Sequence, residues 1–315
     1  MGEITEALRR AKLGDQDQGE PEPIEDPAPR RRMVIPEPPP LPRFDSPLER
    51  GLVALEPLDE LEDLAEHGVL LPSERSLGWQ ARVVVVDGHG AAAESCRHIA
   101  LRAKRELEHR GARSVAVVSS LRAEGKTTVA CNLALALASL SPVRSVALVD
   151  LDLRKPSVAS YLGIPCEVGI EEVLRGKRGL RSGVVVSVET PPLDVFPVRE
   201  AQPEAHQLLA GPAFEAFVRS LERHYETIVF DTPPVLLVPD ATMALRHVAA
   251  AIAIARAGRS QRRAFEQMCE HLPPGRLVGS ILNEGQLPAR DLKYGYYGYG
   301  EEGADDQAVS ESVSD

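Results

Sequence analysis

What the 315-residue sequence lacks narrows it first. It has only four cysteines, Cys96, Cys131, Cys166 and Cys269, with no CxxC pair and no histidine pattern beside them. Neither a disulfide framework nor a zinc site is expected, and the four read as reduced, mostly buried residues. Long apolar runs are also missing. The longest stretch free of Asp, Glu, Lys and Arg covers 17 residues, 127–143, and Asn132 and Pro142 interrupt it. A spanning helix needs roughly 20 apolar residues, so none is expected. The first 20 residues are charged throughout and hold no apolar core of the roughly 7–15 residues a secretory signal requires. The expected location is the cytoplasm.

What is present is unevenly spread. Twelve of the 26 prolines fall between Pro21 and Pro72, which favours one folded domain over the two that the length allows. Residues 1–80 carry 18 acidic and 9 basic side chains, a balance of −9; residues 301–315 carry 6 acidic and none basic, −6. The whole chain is −11, so residues 81–300 sum to +4. A mildly basic body with acidic flanks suits a phosphate ligand better than duplex DNA, and no nucleic-acid partner is expected. Ile4, Leu8 and Ala11 fall at helical spacing in a short N-terminal segment, which can dock or fray. Most of 15–80, rich in Pro, Glu and Asp, reads as extended or disordered linker. The expected organisation is therefore 1–80 as helix plus linker, 81–290 as the folded domain, and 291–315 as a Tyr-rich acidic tail.

Within the folded part, short and almost wholly apolar runs recur: RVVVV at 82–86, then 114–120, 145–152, 193–198, 227–234, 250–255 and 277–283. Helical patterns separate them at 91–109, 128–140, 169–175, 207–224, 240–246 and 260–271. Apolar strands without alternation are buried on both faces, and intervening helices supply two covering layers. The expected fold is a doubly wound α/β domain with a mostly parallel sheet.

Three strand ends carry chemistry. The run SVAVV leads directly into SSLRAEGKTT and a helix, matching GxxxxGK[ST] with Ser120 in place of the first glycine. The nucleotide-binding set expected from it is Ser120, Glu124, Gly125, Lys126, Thr127 and Thr128. Backbone N–H groups at the helix start cradle phosphates, Lys126 reaches the outer ones, and Thr127 ligates Mg²⁺. VALVDLDLRKP brings Asp150, Asp152 and Arg154 to the carboxyl end of a second strand, the edge where open parallel sheets bind ligands. TIVFDTPP does the same for Asp231, a position suited to holding Mg²⁺ directly or through water. The metal set is expected to be Thr127, Asp150 and Asp231.

Together, SSLRAEGKTT, VALVDLDLRKP and TIVFDTPPVLLVPDA resemble the Walker A, Walker A′ and Walker B motifs of the bacterial tyrosine kinases (BY-kinases), over about 82–300. Where that family often has glycine this chain has Ala123, which must accept the backbone conformation that glycine allows. AESCRHIALRAKREL is similar to the helix that family uses for subunit association, with Cys96 and Ala100 in place of a usual tyrosine and arginine. Asn283 in LVGSILN matches the position contacting adenine. KYGYYGYG, with Tyr294, Tyr296, Tyr297 and Tyr299, resembles the family's C-terminal tyrosine cluster, the phosphoacceptors. The resemblance implies an ATP- and Mg²⁺-dependent autokinase acting in trans within a homo-oligomer and on further protein substrates. It implies catalytic roles for Lys126, Asp150, Asp152 and Arg154. It also implies a membrane-anchored polysaccharide co-polymerase or activator as partner at the inner membrane face, in the control of exopolysaccharide or capsule synthesis and export. Two other readings compete: a positioning or partition ATPase, which would carry a lysine where this chain has Leu121, and a catalytically degenerate ATP-binding scaffold.

Overall fold

The computed structural model describes residues 69–71, 90–143, 145–179, 184–189 and 191–285. The expected strand at 82–86, the N-terminal helix and the tyrosine cluster lie outside the described residues. Among the described residues, eight strands form one sheet: β1 (Val69–Leu71), β2 (Ser114–Ser119), β3 (Val146–Asp150), β4 (Val186–Val188), β5 (Leu193–Phe196), β6 (Thr227–Asp231), β7 (Ala250–Arg256) and β8 (Leu277–Asn283). Their spatial order is β1-β4-β5-β3-β6-β2-β7-β8. Neighbours from β5 to β8 are parallel; β4 runs antiparallel to β5, and β1 pairs in parallel with β4. Thus β1 takes three residues from the stretch read as linker, and two reversed strands close one edge.

Among the described residues, eight helices accompany the sheet: α1 (Ala91–His109), α2 (Lys126–Ser139), α3 (Val158–Leu162), α4 (Ile170–Leu174), α5 (Ala205–Ala210), α6 (Pro212–His224), α7 (Asp240–Ala244) and α8 (Arg262–His271). The pattern expected as one helix over 207–224 is two. Gly211 takes an extended conformation, and Pro212 at the start of α6 has no N–H to continue a helical ladder. Besides β1, two short elements escaped the sequence reading, α3 and β4, each too short to show a period.

Alternate strand residues point to opposite layers. Ala116, Val118, Ala147, Val149, Ile228 and Phe230 join one core with α4 to α8. Val115, Val117, Val146, Leu148 and Val229 join the other with α1, α2 and α3. The expected apolar strands buried on both faces are therefore observed for the central ones. Strand β8 differs: it is an edge, with Leu277 and Leu282 exposed. Helix α2 is buried nearly all round, as its lack of a polar face demands. In α1, Ala100 is fully buried in this second core, so an arginine at that position would have to be taken out of water.

The sheet order decides where ligands go. The chain moves from β2 past β6 to β3 and β5, returns to β6, then crosses to β7 and β8. The order reverses around β2, and the crevice outside its carboxyl end is the binding position such sheets offer.

Candidate functional site

Leaving β2, the chain makes a tight loop before α2. Ala123 and Gly125 both have positive φ, 61° and 96°. The expectation for Ala123 is met: it occupies the left-handed region that costs a non-glycine residue roughly 1–2 kcal/mol. Its carbonyl accepts a hydrogen bond from Arg256 Nη1 at 3.0 Å, which fixes the strained unit. Gly125 is required twice over, because a Cβ there would lie 2.1 Å from Asn283 Nδ2 as well as at positive φ.

Glu124 organises this loop from beneath. Buried, it accepts hydrogen bonds from Leu121 N at 2.6 Å, from Ser120 Oγ at 2.9 Å, and from Ser260 Oγ. Burial raises its pKa, but the hydrogen bonds from Leu121, Ser260, Ser120 and Ser119 outweigh that and hold the carboxyl below its ordinary value. Every partner is a donor, so Glu124→Gln would set an amide N–H₂ against donors. Sign matters for pH: a depressed carboxyl contributes stability that is complete above its unfolded pKa of roughly 4.3 and is lost as pH falls through the folded value. The stability gap between wild type and Glu124→Gln is therefore expected to be wide at pH 7 and to narrow below pH 4, measured by denaturant melts at both. An equal gap at the two pH values would remove the charge from this account.

Lys126 is buried, with Nζ donating to Ser119 Oγ at 2.8 Å and to Leu121 O at 3.2 Å. Burial lowers its pKa, opposed by Asp231, Asp152 and Glu124. Thr127 Oγ1 donates to Asp231 Oδ2 at 2.6 Å and lies 3.0 Å from Ser157 Oγ. Asp231, last in β6, is buried, and among the described residues its Oδ1 has no hydrogen-bond partner. Burial chiefly raises its pKa, to about 7. A buried carboxylate oxygen left unpaired beside a threonine hydroxyl fits a divalent cation. Among the described residues no cluster of three or more His, Cys, Asp or Glu could enclose a metal. A cation here must therefore take most of its ligands from phosphate oxygens and water, the ordinary habit of Mg²⁺.

The cleft above these groups has a volume of about 660 Å³, and Gly125, Lys126, Thr127, Thr128, Asp152 and Asn283 contribute to its wall. Asn283 Nδ2 donates to Glu124 O at 3.2 Å, placing β8 beside the loop. Ser120 and Glu124 lie behind the wall, supporting the loop instead of facing the cleft.

Two residues expected to be catalytic sit differently. Asp150 neighbours Asp231 across the β3–β6 pairing, but it lies behind the wall of the cleft. Its oxygens accept N–H groups from Asp152 at 3.1 Å, Ser157 at 2.9 Å and Val158 at 3.0 Å. Burial, reinforced by Asp231, pushes its pKa well up. Its visible task is to fold the loop between β3 and α3. Arg154 reaches the cleft wall, yet its guanidinium is bidentate to Asp240, with Nε–Oδ2 at 2.6 Å and Nη2–Oδ1 at 3.2 Å. It also donates to the Pro203 carbonyl. Asp240 is 1% exposed, so in this structure the arginine is engaged in neutralising a buried charge. Arg154→Ala should cost about 1–3 kcal/mol, below the full buried-pair penalty because the arginine side chain is 32% exposed. Asp240→Asn in the same chain should recover part of that loss; thermal melts of the single and double variants measure it.

Sequence reasoning missed Ser157, Asp240 and the Arg256–Glu284 pair at 2.7 Å. Only Ser157 left a local trace, a serine just before the apolar start of α3.

This arrangement defines a P-loop nucleotide-binding protein. No family model matches the chain. It is 31% identical over 188 residues to the tyrosine-protein kinase YwqD of Bacillus subtilis, covering 59% of this chain and 78% of that one. It is 28% identical over 212 residues to the succinoglycan biosynthesis transport protein ExoP of Rhizobium meliloti, covering 66% of this chain but only 27% of the relative's length. Among solved structures, the kinase domain of VpsO matches at 29% identity and a TM-score of 0.52, covering 62% of this chain and all of that one. The chain belongs to the bacterial tyrosine kinases, and its enzyme class is protein-tyrosine kinase.

Proposed function

We propose that this chain binds ATP with Mg²⁺ and transfers the γ-phosphoryl group to Tyr294, Tyr296, Tyr297 and Tyr299 of neighbouring copies in a homo-oligomer, with further protein substrates. The observation that carries the reading is the Thr127–Asp231 pair beneath the P-loop with Asp231 Oδ1 unpartnered. Bound ATP supplies the phosphoryl group, and Mg²⁺ supplies charge compensation. Thr127 and Asp231 hold the metal side of the site, and Lys126 places an ammonium against the outer phosphates. Asp152 lines the cleft with its pKa raised by burial, which suits it to accept a proton. A phenol with a pKa near 10 gives that proton to Asp152 as its oxygen bonds to phosphorus and ADP departs. Asn283, beside Gly125, serves the adenine side.

In the cell, we infer control of exopolysaccharide or capsule synthesis and export; the likeness to a protein named for succinoglycan transport supports this. No helix among the described residues is long and apolar enough to cross a membrane. A membrane-anchored co-polymerase or activator is the proposed means of holding this cytoplasmic chain at the inner face. The direct test is incubation of purified protein with Mg²⁺ and ATP followed by phosphotyrosine mapping. Phosphate on the four tail tyrosines supports the reading, and ADP release without phosphotyrosine favours a positioning ATPase.

A further inference from the structure

We propose that the half of the cleft on the β3–β6 side is an acceptor subsite, where Leu237 and Val238 seat the ring of an incoming tyrosine and Lys155 selects acceptors with acidic residues nearby. This rests on the kinase reading above.

The sheet order divides the cleft. The P-loop follows β2; Asn283 and Arg256 stand beyond it on the β7–β8 side, whereas Asp152, Lys155, Leu237 and Val238 stand on the β3–β6 side. If the nucleoside lies toward Asn283, the phosphate chain runs along the P-loop toward Thr127 and Asp231, and the attacking group must enter from the far half. That half carries Leu237 and Val238 in its wall.

The segment carrying Leu237 is held stiffly. Thr232 Oγ1 donates to Val117 O at 2.8 Å, Val235 N to Ser119 O at 3.0 Å and Leu236 N to Ser120 O at 3.3 Å. Pro233, Pro234 and Pro239 restrict the backbone further. Leu237 is nonetheless 47% exposed, one of few large apolar side chains so exposed among the described residues. Phosphates have no use for an apolar group at the mouth of their cleft. An aromatic ring does, since packing on Leu237 and Val238 removes apolar surface from water, and a rigid platform loses little entropy in receiving it.

The cations of the cleft are unequally free. Arg154 is bound to Asp240, Arg256 to Glu284, and Lys126 to the loop itself. Two more line the cleft, both exposed and without an ion-pair partner among the described residues: Arg122 in the P-loop itself and, on the β3–β6 side, Lys155. Its backbone N–H donates to Asp152 Oδ1 at 3.0 Å, so this cation is tethered beside the carboxylate that receives the phenol proton. Acidic residues two or three positions from a tyrosine lie within roughly 7–11 Å along an extended chain, the reach needed to meet Lys155 while the ring occupies the platform. Glu301 and Glu302 stand at that separation from Tyr299, and Asp291 from Tyr294.

The test uses the full chain and two synthetic peptides: the sequence 291–305, and the same peptide with its four acidic residues as Gln or Asn. KM for each is measured with Mg²⁺ and ATP. Peptide affinity is measured separately by fluorescence anisotropy with a non-hydrolysable ATP analogue. Wild type should prefer the acidic peptide. Lys155→Glu should erase that preference, weakening the acidic peptide by about tenfold while ATP affinity stays within about twofold. Leu237→Ala should weaken both peptides alike and leave ATP affinity unchanged. Equal handling of the two peptides by wild type, or a Lys155→Glu variant whose ATP affinity collapses, would overturn the proposal, the latter by assigning the lysine to the nucleotide. A preference seen by anisotropy without any phosphotyrosine would instead sink the kinase reading and leave the subsite standing.

Discussion

Replacing Lys126 by methionine is expected to slow tyrosine phosphorylation on the order of 10²–10³-fold, the loss typical of removing one pre-placed charge from a phosphoryl-transfer site. The fold should survive. Methionine fills most of the same buried volume, and the groups deprived of a donor are Ser119 Oγ and the Leu121 carbonyl, a loss of about 1–3 kcal/mol if neither finds another partner. Against that loss, the variant no longer buries an ammonium, whose desolvation already lowers the pKa of Lys126. Initial rates of phosphotyrosine formation, read beside thermal melts, separate the two effects. A variant that melts like wild type and turns over equally fast would remove the P-loop from the mechanism.

The second large effect lies in the tail. Converting Tyr294, Tyr296, Tyr297 and Tyr299 together to phenylalanine should remove most phosphotyrosine while leaving ATP binding intact, because Lys126, Thr127 and the P-loop backbone supply the phosphate-binding groups. The folded body at +4 attracts the −6 segment after residue 300, modestly and with salt sensitivity. Each phosphorylated tyrosine adds about −1.5 to −2 charges. Several within six residues repel one another and compete with the phosphates of ATP, so the modified tail should leave. Unmodified protein is expected to associate, heavily phosphorylated protein to be smaller, and the four-Phe variant to remain associated in the presence of ATP. Light scattering with and without ATP measures this. Identical masses for all three would refute the switch and leave the kinase untouched.

Much of this protein is written locally. Unalternated valine-rich runs between helical patterns determine a parallel sheet covered on both sides, because period and burial are properties of neighbouring residues. GKT after a strand determines a phosphate loop, and aspartates closing apolar runs determine acidic strand ends, so Lys126, Thr127, Asp152 and Asp231 were all legible. Ala123 was legible as a strained position for the same reason, since it stands where a glycine is usual.

Tertiary structure decided which of those side chains remain available to a ligand. Arg154 meets Asp240, 86 residues away, and only the adjacency of β3 and β6 brings the loops that carry them together. Asp150 and Asp152 look equivalent in sequence. The end of β3 at Asp150 and the turn into α3 commit the first to three backbone N–H groups and leave the second in the cleft wall. Strand β8 reads as apolar as its neighbours, yet being last in the spatial order leaves Leu277 and Leu282 in solvent. Partner choice across a sheet follows from strand order, which no local run of residues encodes.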